Sequence, residues 1–135
     1  MKFSYDFKLS EHSGSSRVYV CGDITARIDF LSGSMMRVAL FRDDCKMLPT
    51  FTVDPQNEFL TEGRDKLSLD GFSLFVPQVN ETADGERFSL GNVEAELDTH
   101  NFVLSYKKDG KLLFADRAPL AIIFRTNSET VHIII

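Results

Sequence analysis

The stretch Ile24-Thr25-Ala26-Arg27-Ile28-Asp29-Phe30 alternates apolar and polar residues without interruption. A period of two is the period of a β-strand, because successive side chains of a strand point to opposite faces of its sheet. The stretch therefore predicts a strand with one buried face and one solvated face. The predicted core residues are Ile24, Ala26, Ile28 and Phe30, and the residues predicted to face water are Thr25, Arg27 and Asp29.

The same alternation recurs along the chain, and almost no segment shows the helical period of 3.6 residues. We predict about eleven short strands, with the regular spacing of a sandwich or a barrel. Residues 55–66 have neither the period nor the composition of a strand, and we predict a loop there. The predicted strands are 3–9, 17–21, 24–30, 36–42, 50–53, 72–76, 93–97, 102–107, 112–115, 119–124 and 130–135.

Glycine-containing pairs mark turns between the predicted strands. Asp-Gly favours a two-residue type I′ hairpin, because both central residues of that turn need a positive φ. The pairs are Asp70-Gly71, Asp84-Gly85 and Asp109-Gly110, and Gly22-Asp23 supplies a fourth turn. The sequence thus predicts an all-β fold, an antiparallel β-sandwich that forms a single domain over residues 1–135. Its filled core is predicted to include Met36, Val38, Leu40, Phe102 and Leu104.

Composition and charge exclude several classes of protein. The 135 residues are 43% hydrophobic and 26% charged, which is typical of one folded domain. The net charge of −5 argues against a nucleic-acid partner. No apolar run has the length of a signal peptide or of a membrane span. Without a secretion signal we expect Cys21 and Cys45 to be reduced thiols, and we predict a cytoplasmic protein with no membrane partner.

No arrangement of residues in the sequence indicates a catalytic, cofactor-binding or metal site. The histidines His12, His100 and His132 are far apart, and none has a second ligand type at metal spacing. Both cysteines lie in or beside apolar strands, which suits inert packing thiols. The sequence contains no phosphate-binding loop, dinucleotide fingerprint or nucleophile elbow, so we expect the chain to use no metal and no cofactor.

The acidic residues are predicted to be solvated rather than catalytic. Glycoside hydrolysis needs two carboxyl groups that face one sugar from about 5–10 Å apart. Asp43 and Asp44 are neighbours in one turn and cannot easily flank a bond in that way. Outward strand positions are predicted for Glu94 and Glu96, and turn or strand-end positions for Asp65, Asp70, Asp98 and Asp116.

Aromatic and basic residues form no recognisable binding face, so the substrate-binding residues stay unidentified. Basic residues cluster only at Lys107-Lys108, beside a hairpin turn. A sugar-binding face favours exposed Trp or Tyr, yet the chain has no Trp and three Tyr, which are Tyr5, Tyr19 and Tyr106. Two alternatives remain open: a free-standing carbohydrate-binding sandwich, and a small lipocalin-like β-barrel that holds an apolar ligand.

Two segments carry a resemblance to a known family. The first is Ser-Met-Met-Arg-Val-Ala-Leu-Phe-Arg-Asp-Asp at 34–44, followed by Leu-Pro-Thr-Phe-Thr-Val at 48–53. The second is the alternating stretch 93–107, which continues through the hairpin 108–116 to Leu-Leu-Phe-Ala-Asp. In the order and spacing of these segments, residues 17–124 resemble the N-terminal β-sandwich of glycoside hydrolase family 31, the α-glucosidase and α-xylosidase family.

The resemblance implies a galactose-mutarotase-like supersandwich that packs beside a catalytic (β/α)8 barrel of the same parent chain. In that family the catalytic aspartates lie on the barrel, so no catalytic or substrate residue is carried over to this sequence. The implied function is that of a non-catalytic accessory domain of an α-glucosidase-type hydrolase of carbohydrate metabolism. Such a domain braces the barrel and shapes the access of its carbohydrate substrate.

The chain ends on Thr130-Val131-His132-Ile133-Ile134-Ile135, which is mostly apolar and branched. A chain that stops within such a strand looks like a fragment of a longer chain, although the strand could also simply complete the sheet. The resemblance implies that the longer chain is a glycosidase and that this is its N-terminal part. A long, apolar, uncharged edge strand pairs with another copy unless something covers it. We therefore expect either a homo-oligomer that forms through residues 130–135 or the burial of this strand against the sandwich.

Overall fold

The computed structural model describes residues 5–32, 35–43, 65 and 67–116, together with the backbone of residues 122–123 and 132–133. The regular structure within these ranges is entirely β. No described helix is long and apolar enough to cross a membrane. The strands are β1 (Lys8–His12), β2 (Ser16–Cys21), β3 (Ile24–Leu31), β4 (Met35–Arg42), β5 (Gln78–Glu81), β6 (Gly85–Leu90), β7 (Val93–Asp98), β8 (Val103–Lys108), β9 (Lys111–Ala115), β10 (Ile122–Ile123) and β11 (His132–Ile133).

The first sheet has four antiparallel strands in the order β1-β2-β3-β4. β3 is an inner strand, because β2 pairs with one of its edges and β4 with the other. All the predicted core residues of β3 are buried, namely Ile24, Ala26, Ile28 and Phe30. On β4, Leu40 is buried, and Met36 and Val38 pack against the same core.

The second sheet has five antiparallel strands in chain order, so a turn joins each strand to the next. The turn between β8 and β9 is Asp109-Gly110, with φ of 50° and 78°. A positive φ at both central residues is the requirement of a type I′ turn, so the hairpin that the sequence predicts here is confirmed. Gly91, with φ of 72°, occupies the corresponding turn between β6 and β7.

Aromatic rings join the two sheets. The ring centroids of Phe30 on β3 and Phe88 on β6 lie 5.0 Å apart. Tyr19 on β2 contacts the ring of Phe102, just before β8, with centroids 5.7 Å apart. These side chains belong to one buried cluster that draws residues from both sheets. The fold is therefore an antiparallel β-sandwich, as the sequence predicts.

Several strand predictions were wrong. β5 and β6 lie where we predicted no strand, although the alternate residues Glu86, Phe88 and Leu90 of β6 are buried. Residues 72–76 form no strand, because only Leu74 makes an isolated bridge, to Leu31. Of the strand predicted at 3–9, residues 8–9 lie in β1, residues 5–7 precede it, and residues 3–4 lie outside the described residues. Among the remaining predictions, strand 50–53 and, apart from Asp65, loop 55–66 lie outside the described residues.

The C-terminal strand has a partner within the chain over its described residues. Ile133 pairs antiparallel with Ile122, and His132 pairs with Ile123. Residues 130–131 and 134–135 lie outside the described residues. Association of two copies through residues 130–135 stays a prediction.

Gly85 is the first residue of β6, and glycine is needed there for a reason other than the type I′ turn that the sequence predicts. The described residues with positive φ do not include Asp84 or Gly85, so this pair does not form a type I′ turn. Instead, a Cβ atom at Gly85 would lie 2.0 Å from the carbonyl oxygen of Leu97, on the neighbouring strand β7. Glycine is required here because the two backbones approach too closely for any side chain.

We expect Gly85→Ala to lower the free energy of unfolding by about 1–3 kcal/mol, because the backbone of β6 or β7 must move apart. Gly14→Ala is the matched control. Its Cβ would meet only the exposed side chain of Val76, at 3.2 Å, so the expected change is within about 0.5 kcal/mol. Urea unfolding of the two variants measures the difference. Equal stability of both variants would contradict the close approach.

Candidate functional site

A buried polar cluster links the inner faces of the two sheets. Arg17 on β2 pairs with Glu86 on β6, and the side chains of both are 11% exposed. The hydroxyl of Tyr19 donates a hydrogen bond to the same carboxylate, and the Arg17 guanidinium lies 5.9 Å from the ring centroid of Phe88. We call Arg17, Tyr19 and Glu86 the inter-sheet cluster. Each of its polar groups therefore has a partner across the sandwich.

The surroundings of Arg17 and Tyr19 in the inter-sheet cluster fix the protonation states of both side chains. Burial raises the pKa of the Tyr19 hydroxyl, and its hydrogen bond to Glu86 raises it further. Burial lowers the pKa of Arg17, but the hydrogen bond with Tyr19 and the charge of Glu86 outweigh that effect, so the pKa is raised. Tyr19 therefore stays a neutral donor and Arg17 stays charged, which makes the cluster a structural element and not a proton-transfer pair.

A second polar cluster lies on the outer face of the first sheet. Asp29 is completely buried, so the prediction that it faces water was wrong. Its carboxylate accepts hydrogen bonds from Ser16 Oγ at 2.6 Å, Arg27 Nε at 2.9 Å and Arg37 Nη2 at 2.7 Å. Ser16 and Arg37 stand directly opposite Asp29 on the neighbouring strands β2 and β4. The strand register thus brings three polar residues into one row.

The polar cluster around Asp29 also holds the segment 67–72 against the outer face of the first sheet. Arg37 donates to the main-chain oxygens of Leu67 and Ser68, at 3.0 and 2.9 Å, and its guanidinium lies over the ring of Phe72. Burial raises the pKa of Asp29, but the hydrogen bonds from Ser16, Arg37 and Arg27 outweigh it, so the pKa is lowered. Asp29 is therefore ionised, and it holds the Arg37 side chain that binds Leu67 and Ser68.

The two histidines whose side chains are described, His12 and His100, belong to different sheets of the sandwich. His12 is exposed at the end of β1. His100 is exposed in the turn between β7 and β8, where Nδ1 lies 2.6 Å from Asp6 Oδ1, and this hydrogen bond raises the pKa of the imidazole. His132 lies in β11, where only the backbone is described. Within the described part of the chain, no group of three His, Cys, Asp or Glu side chains could hold a metal ion.

Most of the carboxylates considered in the sequence analysis lie in turns or on the surface. Asp65 and Asp98 accept main-chain N–H bonds from Leu67 and His100 two residues further on. Asp43 and Asp70 are exposed, and Asp44 lies outside the described residues. Glu94 is exposed, whereas Glu96 pairs with Arg87 at 2.9 Å and with Lys107 at 3.8 Å.

Asp116 differs from the other surface acids, because burial raises its pKa. Its Oδ2 accepts the main-chain N–H of Leu104 at 2.9 Å, and its own N–H donates to the Leu104 oxygen at 2.8 Å. Burial and the charge of Asp116 together raise the pKa of Tyr106 to about 12. The two reciprocal hydrogen bonds tie the end of β9 to β8, so Asp116 has a structural role.

The tyrosines and the described cysteine offer no sugar-binding face. Tyr19 is fully buried, and Tyr5 and Tyr106 are half-buried against the core. Cys21 is a free thiol that packs against the core, as the sequence analysis expected, and Cys45 lies outside the described residues. A carbohydrate-binding sandwich that uses these tyrosines is therefore disfavoured.

The hairpin of β8 and β9 presents an exposed apolar surface. β9 is the outer strand of its sheet, and Leu112, Leu113 and Phe114 are 61%, 53% and 50% exposed. At the tip, Lys108 and Lys111 stand directly opposite each other. Like charges in directly opposite positions destabilise a sheet. In this register Phe114 lies on the same face as Lys108 and Lys111, whereas Leu112 lies opposite Lys107 on the other face. We call these five residues, which surround the outer edge of the hairpin, the hairpin surface.

Sequence reasoning missed both the inter-sheet cluster and the hairpin surface. Arg17 and Tyr19 have the same parity in β2, and Glu86 and Phe88 have the same parity in β6, which was a usable signal. Arg17 and Glu86 are charged, however, and charged residues usually lie at solvated positions. The exposure of Phe114 had no signal at all, because the segment around it has the composition of a core strand.

Comparison of the sequence with protein-family models gave no match, and comparison with curated proteins found no similar sequence.

Proposed function

We propose that the chain is a non-catalytic scaffolding and binding domain, the N-terminal accessory sandwich of a family 31 glycoside hydrolase. One observation carries the non-catalytic part of the proposal. The buried carboxylates Glu86 and Asp29 each have arginine partners within the fold. A general acid or a nucleophile must instead be able to reach a substrate. These two buried carboxylates therefore serve the stability of the fold.

Among the carboxyl groups in the described ranges, Asp116 most resembles a general acid, because burial raises its pKa. A raised pKa suits proton donation near neutral pH. Glycoside hydrolysis also needs an opposing carboxyl across the scissile bond, whereas the contacts of Asp116 hold the main chain of Leu104. We assign Asp116 to the closure of the hairpin.

The family part of the proposal rests on the resemblance of residues 17–124. It includes the galactose-mutarotase-like supersandwich, the catalytic (β/α)8 barrel of the same parent chain as partner, and that barrel's carbohydrate substrate. The β-sandwich fold and the antiparallel meander that contains residues 93–115 are consistent with it. A cytoplasmic location is part of the same proposal, and the free thiol of Cys21 agrees with a reducing compartment.

We expect the 135-residue chain to hydrolyse neither chromogenic α-glucosides nor α-xylosides. Maltose is expected to bind no more tightly than about 1 mM, because the described inner face is filled by side chains. Absorbance assays and calorimetric titration measure the two quantities. Turnover that disappears in Asp116→Asn, with the fold intact by circular dichroism, would overturn the non-catalytic assignment.

The reading frame downstream of Ile135 tests the family part separately. The proposal expects it to continue through a barrel-length sequence with paired catalytic aspartates. A stop codon at that point, or an unrelated domain, would contradict the family 31 parent and leave the non-catalytic assignment standing.

A further inference from the structure

We propose that the hairpin surface, formed by Lys108, Lys111, Leu112, Leu113 and Phe114, is a docking site for an acidic protein segment with apolar residues beside its carboxylates. The proposal rests on the proposed function in one respect: it takes the chain to act by binding a protein and not by catalysis. It adds the location of the binding surface and the chemistry of the partner.

The apolar part of the hairpin surface is exposed but held in place. The ring centroids of Phe114 and Tyr106 lie 4.4 Å apart, at an interplanar angle of 32°. Tyr106 is itself packed against the core of the sandwich. Phe114 therefore loses little side-chain freedom when a partner covers it, and ordered aromatic side chains of this kind are typical anchors of protein interfaces.

The charge of the hairpin surface defines the partner. The whole chain carries a net charge of −5, yet the hairpin tip Lys108-Asp109-Gly110-Lys111 has two lysines and one aspartate, and so a local charge of +1. Lys107 is paired with Glu96, whereas the ion pairs of the described residues include neither Lys108 nor Lys111. A carboxylate placed beside these two lysines would relieve their mutual repulsion. The partner is therefore acidic where it meets the tip.

A second copy of the chain fits this surface less well. The pairing of β8 with β9 shifts register between Tyr106 and Lys107, and irregularities of this kind make an edge strand a poor template for strand addition. The net charge of −5 also makes two copies repel each other. The occupant is thus a different protein surface that covers the apolar side chains and neutralises the lysines.

The test uses a fluorescein-labelled peptide of four glutamates followed by three leucines, titrated with the full chain and followed by fluorescence anisotropy. We expect saturable binding that weakens as the salt concentration rises. Phe114→Ala and the double variant Lys108→Ser/Lys111→Ser should each weaken binding about tenfold. The controls Met35→Ala and Lys8→Ser remove an exposed apolar residue and an exposed lysine from the other sheet, and they should bind as the unmodified chain does.

Several outcomes would overturn the proposal. Binding that does not saturate below about 1 mM peptide would do so. So would a lysine-for-glutamate peptide that binds as well as the acidic one, or control variants that weaken binding as much as the hairpin variants do. Sedimentation equilibrium adds one more. A dimer of the chain alone that Phe114→Ala dissociates would make a second copy the occupant. None of these results depends on the hydrolysis assay, so failure of docking and failure of the non-catalytic assignment are distinguishable.

Discussion

Replacing Glu86 with alanine is expected to lower the free energy of unfolding by about 3–5 kcal/mol. The substitution leaves the Arg17 guanidinium between the two sheets without its counter-charge, and it removes the acceptor of the Tyr19 hydroxyl. A charge that is buried and unpaired costs far more than the original pair contributes. Urea unfolding at pH 7, followed by circular dichroism, measures the loss.

Glu96→Ala is the matched control for this prediction. Glu96 also pairs with an arginine on its own sheet, Arg87, but those side chains are 33% and 42% exposed. Water can solvate the arginine that remains, so the expected loss is about 1 kcal/mol or less. The triple variant Arg17→Met/Tyr19→Phe/Glu86→Leu should recover most of the stability, because it replaces the buried pair by apolar residues and leaves no Tyr19 hydroxyl without an acceptor. Equal losses in Glu86→Ala and Glu96→Ala would contradict the role of the inter-sheet cluster.

Phe102→Ala is expected to cost about 3–5 kcal/mol, because it removes a fully buried ring and leaves a cavity. The ring contacts both Phe7 and Tyr19, with centroids 5.2 and 5.7 Å away. Phe102 also has a φ of 52°, a conformation that is strained for a bulky side chain. The packing of the ring must therefore hold the backbone of this turn in place.

Two further variants separate packing from backbone strain. Phe114→Ala removes the same side chain at a half-exposed position, and it should cost well under half as much. Phe102→Gly removes the buried ring but accepts a positive φ, so it should be no less stable than Phe102→Ala. Thermal or urea unfolding compares the three. A Phe102→Ala variant as stable as Phe114→Ala would contradict the placement of Phe102 in the core.

The sequence predicts the fold class well, because the alternation in β7 and in the first five residues of β3 follows the alternation of burial. Residues Ile24, Ala26, Ile28 and Phe30 all lie where the period places them. The hairpin at Asp109-Gly110 is equally predictable, because few residue pairs adopt a positive φ at both positions. Local pattern and local turn chemistry suffice for these elements.

Features that depend on distant residues are not predictable in the same way. Asp29 is charged and alternates with apolar residues, which predicts a solvent-facing position. It can be buried because Arg27 and Arg37 neutralise its charge and because Arg37 also binds the segment around Leu67 and Ser68. Glu86 makes the core strand β6 hard to predict, because a charged residue indicates a solvated position. Its counter-charge comes from Arg17, which is far away in the chain. Partners that are distant in sequence decide such positions, and periodicity does not report them.

The order of strands in the second sheet has a kinetic consequence. Every pairing from β5 to β9 joins strands that are neighbours in sequence, so this meander has a low contact order and can form early. The contact between Arg17 and Glu86 instead closes a separation of 69 residues, which costs loop entropy and favours late formation. We therefore hypothesise that the inter-sheet cluster forms after the folding transition state. Chevron plots of Glu86→Ala should then show faster unfolding at a nearly unchanged folding rate, and slower folding would refute this order of events.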